Sequence, residues 1–293
     1  MEKYGIADIG SNTIVLLIYE IRNGKPMTLF HQSTAAHLID YVDENRIMSQ
    51  EGIEHATKIL KSYAHILKDY KIEYKWADVT EPCRIENREE LIQALASTGF
   101  EIFPLAGEQE ALYDYYGTKF SYPEVTDGIA FDVGGGSTEL ISFKDSKPID
   151  AISFPLGCVR LAHLPLDTDI CMNEIKKTQG KYPSFYTQSN TVIGIGGTMR
   201  YIGLVADCLH QTKNTITVEQ LRDFYKDALE EEPEITEIIH SVVDPARIPV
   251  FLPGIHMILE ICEAFHAKTI LISATGIREG FLLQMLEEHH LKD

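Results

Sequence analysis

An α/β fold made of two like halves is what this sequence predicts. Three observations lead there. Strand-like and helix-like periodicities alternate along the 293 residues. A strand, an Asp-Ile/Val-Gly turn with small polar residues, a Thr and a second strand occur at position 8 and again at position 132. The flanking strands recur with the motif, which chance repetition of a short motif does not bring. At roughly 100–200 residues per domain the length suits two domains. The repeat implies half-molecules that face one another across a cleft.

The elements follow in order. Tyr4 to Ala7 is a short apolar strand, Ile14 to Ile21 a second, and Asn23-Gly24-Lys25-Pro26 reads as a hairpin turn into a third strand, Met27 to Ala35. Helical periodicity begins after Ser49, where Ile53, Ala56, Ile59, Leu60, Tyr63, Ile66 and Leu67 fall on one face. Trp76 to Val79 is strand-like. Glu89 to Ala96 is a helix with Asn87 as N-cap, Phe100 to Pro104 a strand and Glu108 to Tyr116 a helix. Pro and charge break the periodicity over Ser121 to Asp127, so the domains are expected at 1–122 and 123–293. The pattern then restarts with strands over Gly128 to Phe131, Glu139 to Phe143 and Ile149 to Phe154, the last two joined by a turn at Asp145-Ser146-Lys147-Pro148. After a helical section, Thr191 to Ile195 is a strand ending in Gly196-Gly197-Thr198, with a helix from near Met199. Ala267 to Ser273 is the last strand, and the last helix (277–290) is expected to pack back on the first domain.

Composition excludes several classes. Hydrophobic content of 44% and charged content of 24% are ordinary for a globular protein. No apolar run approaches the ~20 residues that span a bilayer, and Met1-Glu2-Lys3-Tyr4 opens no signal-peptide pattern. The five cysteines, Cys83, Cys158, Cys171, Cys208 and Cys262, are scattered and form no Cys-x-x-Cys pair. They predict reduced core thiols and a cytoplasmic protein. A net charge of −18 argues against a nucleic-acid surface, so an anionic ligand needs local donors and a metal ion.

The chemistry concentrates in glycine-rich turns. Asp8-Ile9-Gly10-Ser11-Asn12-Thr13 and Asp132 to Thr138 each place backbone N–H groups and hydroxyls (Ser11, Thr13, Ser137, Thr138) together, a nest for anionic oxygens. For the first turn alone a plain hairpin is the slightly better reading. Three consecutive glycines, Gly134, Gly135 and Gly136, favour close approach of a ligand. Asp8 and Asp132, at matched strand ends, suggest Mg²⁺ held by carboxylates and phosphate oxygens. A third turn, Gly194-Ile195-Gly196-Gly197-Thr198, opens a helix at an anion-binding position. It lacks the Gly-Lys-Ser/Thr end of a P-loop and the Gly-x-Gly-x-x-Gly spacing.

These blocks stand in order with Gly107-Glu108-Gln109-Glu110-Ala111, Pro155-Leu156-Gly157-Cys158-Val159-Arg160-Leu161, Gly194 to Arg200 and Gly276-Ile277-Arg278-Glu279-Gly280. Together they resemble the exopolyphosphatase / guanosine pentaphosphate phosphohydrolase family, of the short two-domain type. The resemblance implies two actin-like (ribonuclease H-like) domains, Mg²⁺, a polyphosphate or guanosine polyphosphate ligand and a homodimer. It aligns Glu110 with the family's catalytic glutamate, and Asp132 and Glu139 with acids that hold metal and water. It sets Asp8 beside them as a metal ligand, and Ser11, Asn12, Thr13, Arg84, Gly134, Gly135, Gly136, Ser137, Thr138, Gly196 and Gly197 as phosphate binders.

Two segments depart from the family pattern. Thr80-Glu81-Pro82-Cys83-Arg84-Ile85-Glu86-Asn87 replaces small residues with Glu81 and Pro82, and His37-Leu38-Ile39-Asp40-Tyr41 replaces an Arg-Leu-Gly-x-Gly stretch. Fewer cations in the cleft are therefore expected. The leading expectation is an Mg²⁺-dependent release of terminal orthophosphate by water that Glu110 positions. The alternatives are a binding or regulatory protein that has lost turnover, and a kinase of the same superfamily.

Overall fold

A computed structural model describes residues 2–164, 169–212 and 214–291. Residues 1, 292 and 293, the ends of the two expected domains, lie outside the described residues. The chain divides into two compact units, Met1–Glu110 with Phe281–Asp293, and Ala111–Gly280.

The first unit is built on β1 (Lys3–Ile9), β2 (Thr13–Arg22), β3 (Lys25–Ala35), α1 (Gln50–Asp69), β4 (Tyr74–Val79), α2 (Arg88–Ala96), β5 (Glu101–Pro104) and the start of α3 (Gly107–Ser121). Its sheet runs in the order β3-β2-β1-β4-β5. β1, β2 and β3 are antiparallel; β1, β4 and β5 are parallel. The β2–β3 turn is tighter than the sequence suggested. Asn23 (φ 52) and Gly24 (φ 71) form a two-residue left-handed turn, and Lys25 and Pro26 already pair with Arg22 and Ile21. Ser49 caps α1 by accepting from the Gly52 amide at 3.2 Å. Ile53, Ala56, Leu60, Tyr63 and Leu67 bury one face of α1. The Tyr63 hydroxyl finds its partners on the sheet, donating to the Ile14 carbonyl at 2.8 Å. Asn87 precedes α2 but does not cap it. Its side chain instead bonds both the amide (2.9 Å) and the carbonyl (3.0 Å) of Met48.

The second unit contains the rest of α3, β6 (Gly128–Val133), β7 (Thr138–Lys144), β8 (Lys147–Phe154), α4 (Cys158–Leu161), α5 (Ile170–Lys181), β9 (Thr191–Ile195), α6 (Gly196–His210), β10 (Thr215–Thr217), α7 (Val218–Leu229), α8 (Pro233–Val242), α9 (Ile248–Ala264), β11 (Thr269–Ile272) and the start of α10 (Ile277–Glu288). Its sheet order is β10-β11-β9-β6-β7-β8. Leaving out the three-residue β10, this is the first sheet repeated: three antiparallel strands, then parallel neighbours of the first of them. The repetition reaches the turns. Asp145 (φ 51) and Ser146 (φ 59) make the same two-residue left-handed turn, again followed by Lys-Pro, so Lys147 and Pro148 belong to β8. This is the actin-like α/β architecture, present twice.

Both passages between units fall inside helices, α3 and α10, not in the 121–127 segment. In α3 the physical reason is the core that the residues after Glu110 join. Ala111 and Tyr115 pack with Ala130, Ile141, Phe143, Ile193 and Ile195 of the second sheet.

Candidate active site

The two glycine turns have the same internal geometry. The Gly10 amide donates to the Thr13 carbonyl at 3.0 Å, and the Gly134 amide donates to the Ser137 carbonyl at 3.0 Å. Each turn thus links an antiparallel strand pair, β1–β2 or β6–β7, with an Asp two residues before the first glycine. The register is also the same, and what separates them is the residue opposite the Asp. Asp8 stands opposite Val15, whereas Asp132 stands opposite Glu139.

In the second unit Asp132 and Glu139 therefore share a sheet face, as directly opposed cross-strand residues do, with Cβ atoms about 4.5–5.5 Å apart. Glu139 is buried and accepts from the Ser153 hydroxyl at 2.6 Å. Asp132 also borders the start of α6. Gly196 has φ +84, and a Cβ there would lie 2.1 Å from an Asp132 carboxylate oxygen. The positive end of α6 thus adjoins this carboxylate. The carbonyls of Gly134 and Gly135 are taken by the amides of Cys158 (2.9 Å) and Val159 (3.0 Å). In planar trans peptides the N–H groups of Gly135 and Gly136 then point the opposite way, away from α4. Thr138 does not fit the phosphate set. It is fully buried and its hydroxyl donates to the Leu156 carbonyl at 2.7 Å, a bond that serves the fold.

Three cations here were not singled out from sequence. Arg247 lies against Gly197, where a Cβ would be 2.7 Å from one guanidinium nitrogen. Arg200 retains an exposed surface. The neighbouring Arg278 charge repels the Arg200 guanidinium, and Asp132 and Glu279 attract it. Arg200 and Arg278 stood inside quoted sequence blocks; Arg247, at the entry to α9, carried no local signal. These arginines lie in the second unit, away from the 37–41 and 80–87 segments behind the expectation of fewer cations.

In the first unit Asp8, 8% exposed, is in register with the buried Asp78 of β4. The Ser11 hydroxyl donates to Glu81 at 2.8 Å, so one of the departures from the family pattern contacts the first turn directly. The Asn12 carbonyl accepts from the amides of Ala36 (2.9 Å) and His37 (3.0 Å). Glu110, in the first turn of α3, is ion-paired with Arg84. Cys83 beside them is no nucleophile: burial pushes its thiol up to about 11. Cys158 and Cys262 are raised by burial to about 11 and about 12. All five cysteines are free, and Cys208 is exposed, unlike the core position expected.

Among the described residues no group of three or more His, Cys, Asp or Glu side chains is placed to hold a metal ion. Mg²⁺ usually needs only one or two carboxylates, with phosphate and water oxygens completing its shell. The Asp132–Glu139 pair suits that mode. Asp8 belongs to the other unit. Among the described residues no helix is long and apolar enough to cross a membrane.

A doubled actin-like unit whose matched turns present backbone donors beside carboxylates defines a phosphate-handling protein of the actin-like class. The chain belongs to the Ppx/GppA phosphatase family, whose model matches residues 17–289. A Haemophilus influenzae relative named "Putative exopolyphosphatase" is 27% identical, over 98% of this chain and 92% of its own length. A Pseudoalteromonas atlantica guanosine-5'-triphosphate,3'-diphosphate pyrophosphatase is 23% identical over the whole chain, which spans only 60% of that protein. Among solved structures, an Aquifex aeolicus PPX-GPPA enzyme is 25% identical, covering 97% of this chain and 99% of that one, with TM-score 0.77. An exopolyphosphatase from Cytophaga hutchinsonii shares the fold at 21% identity and TM-score 0.79, over 98% of both chains.

Proposed function

We propose that this protein is a cytoplasmic, Mg²⁺-dependent phosphohydrolase that releases terminal orthophosphate from inorganic polyphosphate or guanosine pentaphosphate. One observation carries the reading: the Asp132–Glu139 pair stands directly under the Gly134–Ser137 turn. In this reading the N–H groups of Gly135 and Gly136 and the Ser137 hydroxyl hold the terminal phosphoryl group. Gly196 and Gly197 add the α6 terminus, and Ser11, Asn12, Thr13 and Arg84 serve further phosphate oxygens. Asp132 and Glu139, with Asp8, would hold Mg²⁺, which when bound neutralises charge on the transferring group. Glu110 orients the attacking water and accepts its proton. The active form is proposed to be a homodimer.

The test is one panel of phosphate-release assays on tripolyphosphate, long polyphosphate and guanosine pentaphosphate, with and without Mg²⁺. Metal-dependent release from at least one of them is expected. No release from any would remove the hydrolase.

A second reading, a protein that binds these anions without turnover, is favoured by the contacts of Glu81 and Arg84. Glu81 occupies the Ser11 hydroxyl, and Glu110 is tied to a guanidinium. A carboxylate paired with a cation is a weaker base. Tight binding of tripolyphosphate without release in the same panel would select this reading.

A further inference from the structure

The first unit holds a pocket of about 700 Å³ that none of the glycine turns lines. Arg46, Arg84 and Arg88 contribute to its wall, with Glu89 as the acid among the lining residues. The chain carries 26 Lys and Arg against 44 Asp and Glu, so this wall inverts the balance of the whole molecule.

The arginines are held there by a built framework. Arg46 has φ 62, a left-handed backbone uncommon for residues other than glycine. Its guanidinium donates to the Arg84 carbonyl oxygen. The Arg46 carbonyl accepts from the Glu86 amide at 2.9 Å, and Asn87 holds both backbone groups of Met48. Asp43 closes the loop beneath, accepting from the amides of Asn45 (2.9 Å) and Ile47 (2.8 Å). These contacts fix where the Arg46 side chain leaves the loop. Arg88 pairs with Glu89, but both side chains are more than half exposed, and such a pair holds weakly. Arg84 and Arg88 are close enough together that both act on the Cys83 thiol in the same wall.

We propose that this pocket binds a phosphate anion of orthophosphate or pyrophosphate size, gripped by Arg46, Arg84 and Arg88. Guanidinium forks match phosphate oxygens in pairs. An anion here competes with Glu110 for Arg84, so occupancy reports on the ion pair next to it. Arg84 is shared with the proposed substrate site, so that link rests on the proposed function, while the Arg46 and Arg88 side of the wall does not.

The experiment is calorimetric titration of pyrophosphate, without divalent metal, into the wild-type protein, the double variant Arg46→Gly/Arg88→Gln, and Ser137→Ala. Glycine suits φ 62, so the first substitution removes a guanidinium without backbone strain. Binding is expected to weaken at least about tenfold in the double variant, the range of one or two charge-assisted hydrogen bonds, and to persist in Ser137→Ala. Unchanged affinity in the double variant overturns the pocket. Should the double variant fail to melt cooperatively, Arg88→Gln alone is titrated. Hydrogen exchange on the wild-type protein is then followed over residues 84–89 and 104–109. Protection by pyrophosphate supports the site, and its absence overturns it. Pyrophosphate binding without phosphate release in the panel assay leaves the pocket standing and sinks the hydrolase. Release with unaltered binding in the double variant does the reverse.

Discussion

Gly280 lies so close to Tyr113 that a Cβ on it would sit 1.9 Å from the Tyr113 carbonyl oxygen. One turn earlier the contact is repeated, with a Cβ on Gly117 falling 2.0 Å from the Gly276 carbonyl oxygen. Here α3 and the start of α10 touch backbone to backbone. Asp114 completes the joint by accepting from the Ile277 amide at 2.8 Å, and Glu279 by accepting from the Gly276 amide at 2.9 Å. The obstacle to a side chain is backbone, which cannot swing aside. Gly280→Ala is therefore expected to destabilise by about 1–3 kcal/mol or more, the cost of overpacking. A thermal melt checks it; an unchanged midpoint would show that the helices part easily.

Gly196 carries two constraints at once, a φ of +84 and the Asp132 carboxylate at its α-carbon. Gly196→Ala should cost about 1–3 kcal/mol from the strained backbone alone and should displace Asp132, abolishing phosphate release. Gly180 of α5 is the control, since nothing lies within 4 Å of a Cβ placed there. Gly180→Ala should be neutral or stabilise by up to about 1 kcal/mol, because the unfolded chain loses freedom. Denaturant melts and a tripolyphosphate assay on both variants separate the effects.

The repeat was legible because Asp8 and Asp132 begin the same strand–turn–strand pattern, and β-structure with tight glycine turns is locally coded. The boundaries within α3 and α10 were not. Whether a helix residue belongs to one core or another depends on its long-range neighbours, as Ala111 does on Ala130 and Ile141. Asn87 has the residue type of a cap, yet a nonlocal partner, Met48, claims its side chain. Thr138 likewise looked like a phosphate donor until the Leu156 carbonyl took its hydroxyl. Arg247 reaches Gly197 from fifty residues further along, a distance that no motif spans.

Glu260 of α9 makes the stability depend on pH. Burial, ahead of other influences, raises its carboxyl above the usual 4.5; the Met172 amide and the Cys171 thiol pull it back, and Asp169 and Glu263 push it further up. The folded state thus holds the proton more tightly than the unfolded chain. Its stabilising share is full below the unfolded value and is lost as pH rises through the folded one. Glu260→Gln should flatten this fall and raise stability at neutral pH. Urea denaturation of both proteins between about pH 4.5 and about pH 8 tests it; parallel curves would remove Glu260 as the cause.

Glu110 and Glu108 share the first turn of α3, yet only Glu110 is drawn inward, paired with Arg84 and 14% exposed along its side chain. Glu108 is exposed. An acid that merely suits the positive end of a helix works as well at either position. A water-orienting base does not. Glu110→Ala is expected to lower phosphate release about 10²–10⁴-fold, the range of general-base catalysis, with the melt retained. Glu108→Ala should leave the rate unchanged. Full activity in Glu110→Ala would remove it from the reaction, and equal losses in both variants would reduce its part to helix electrostatics.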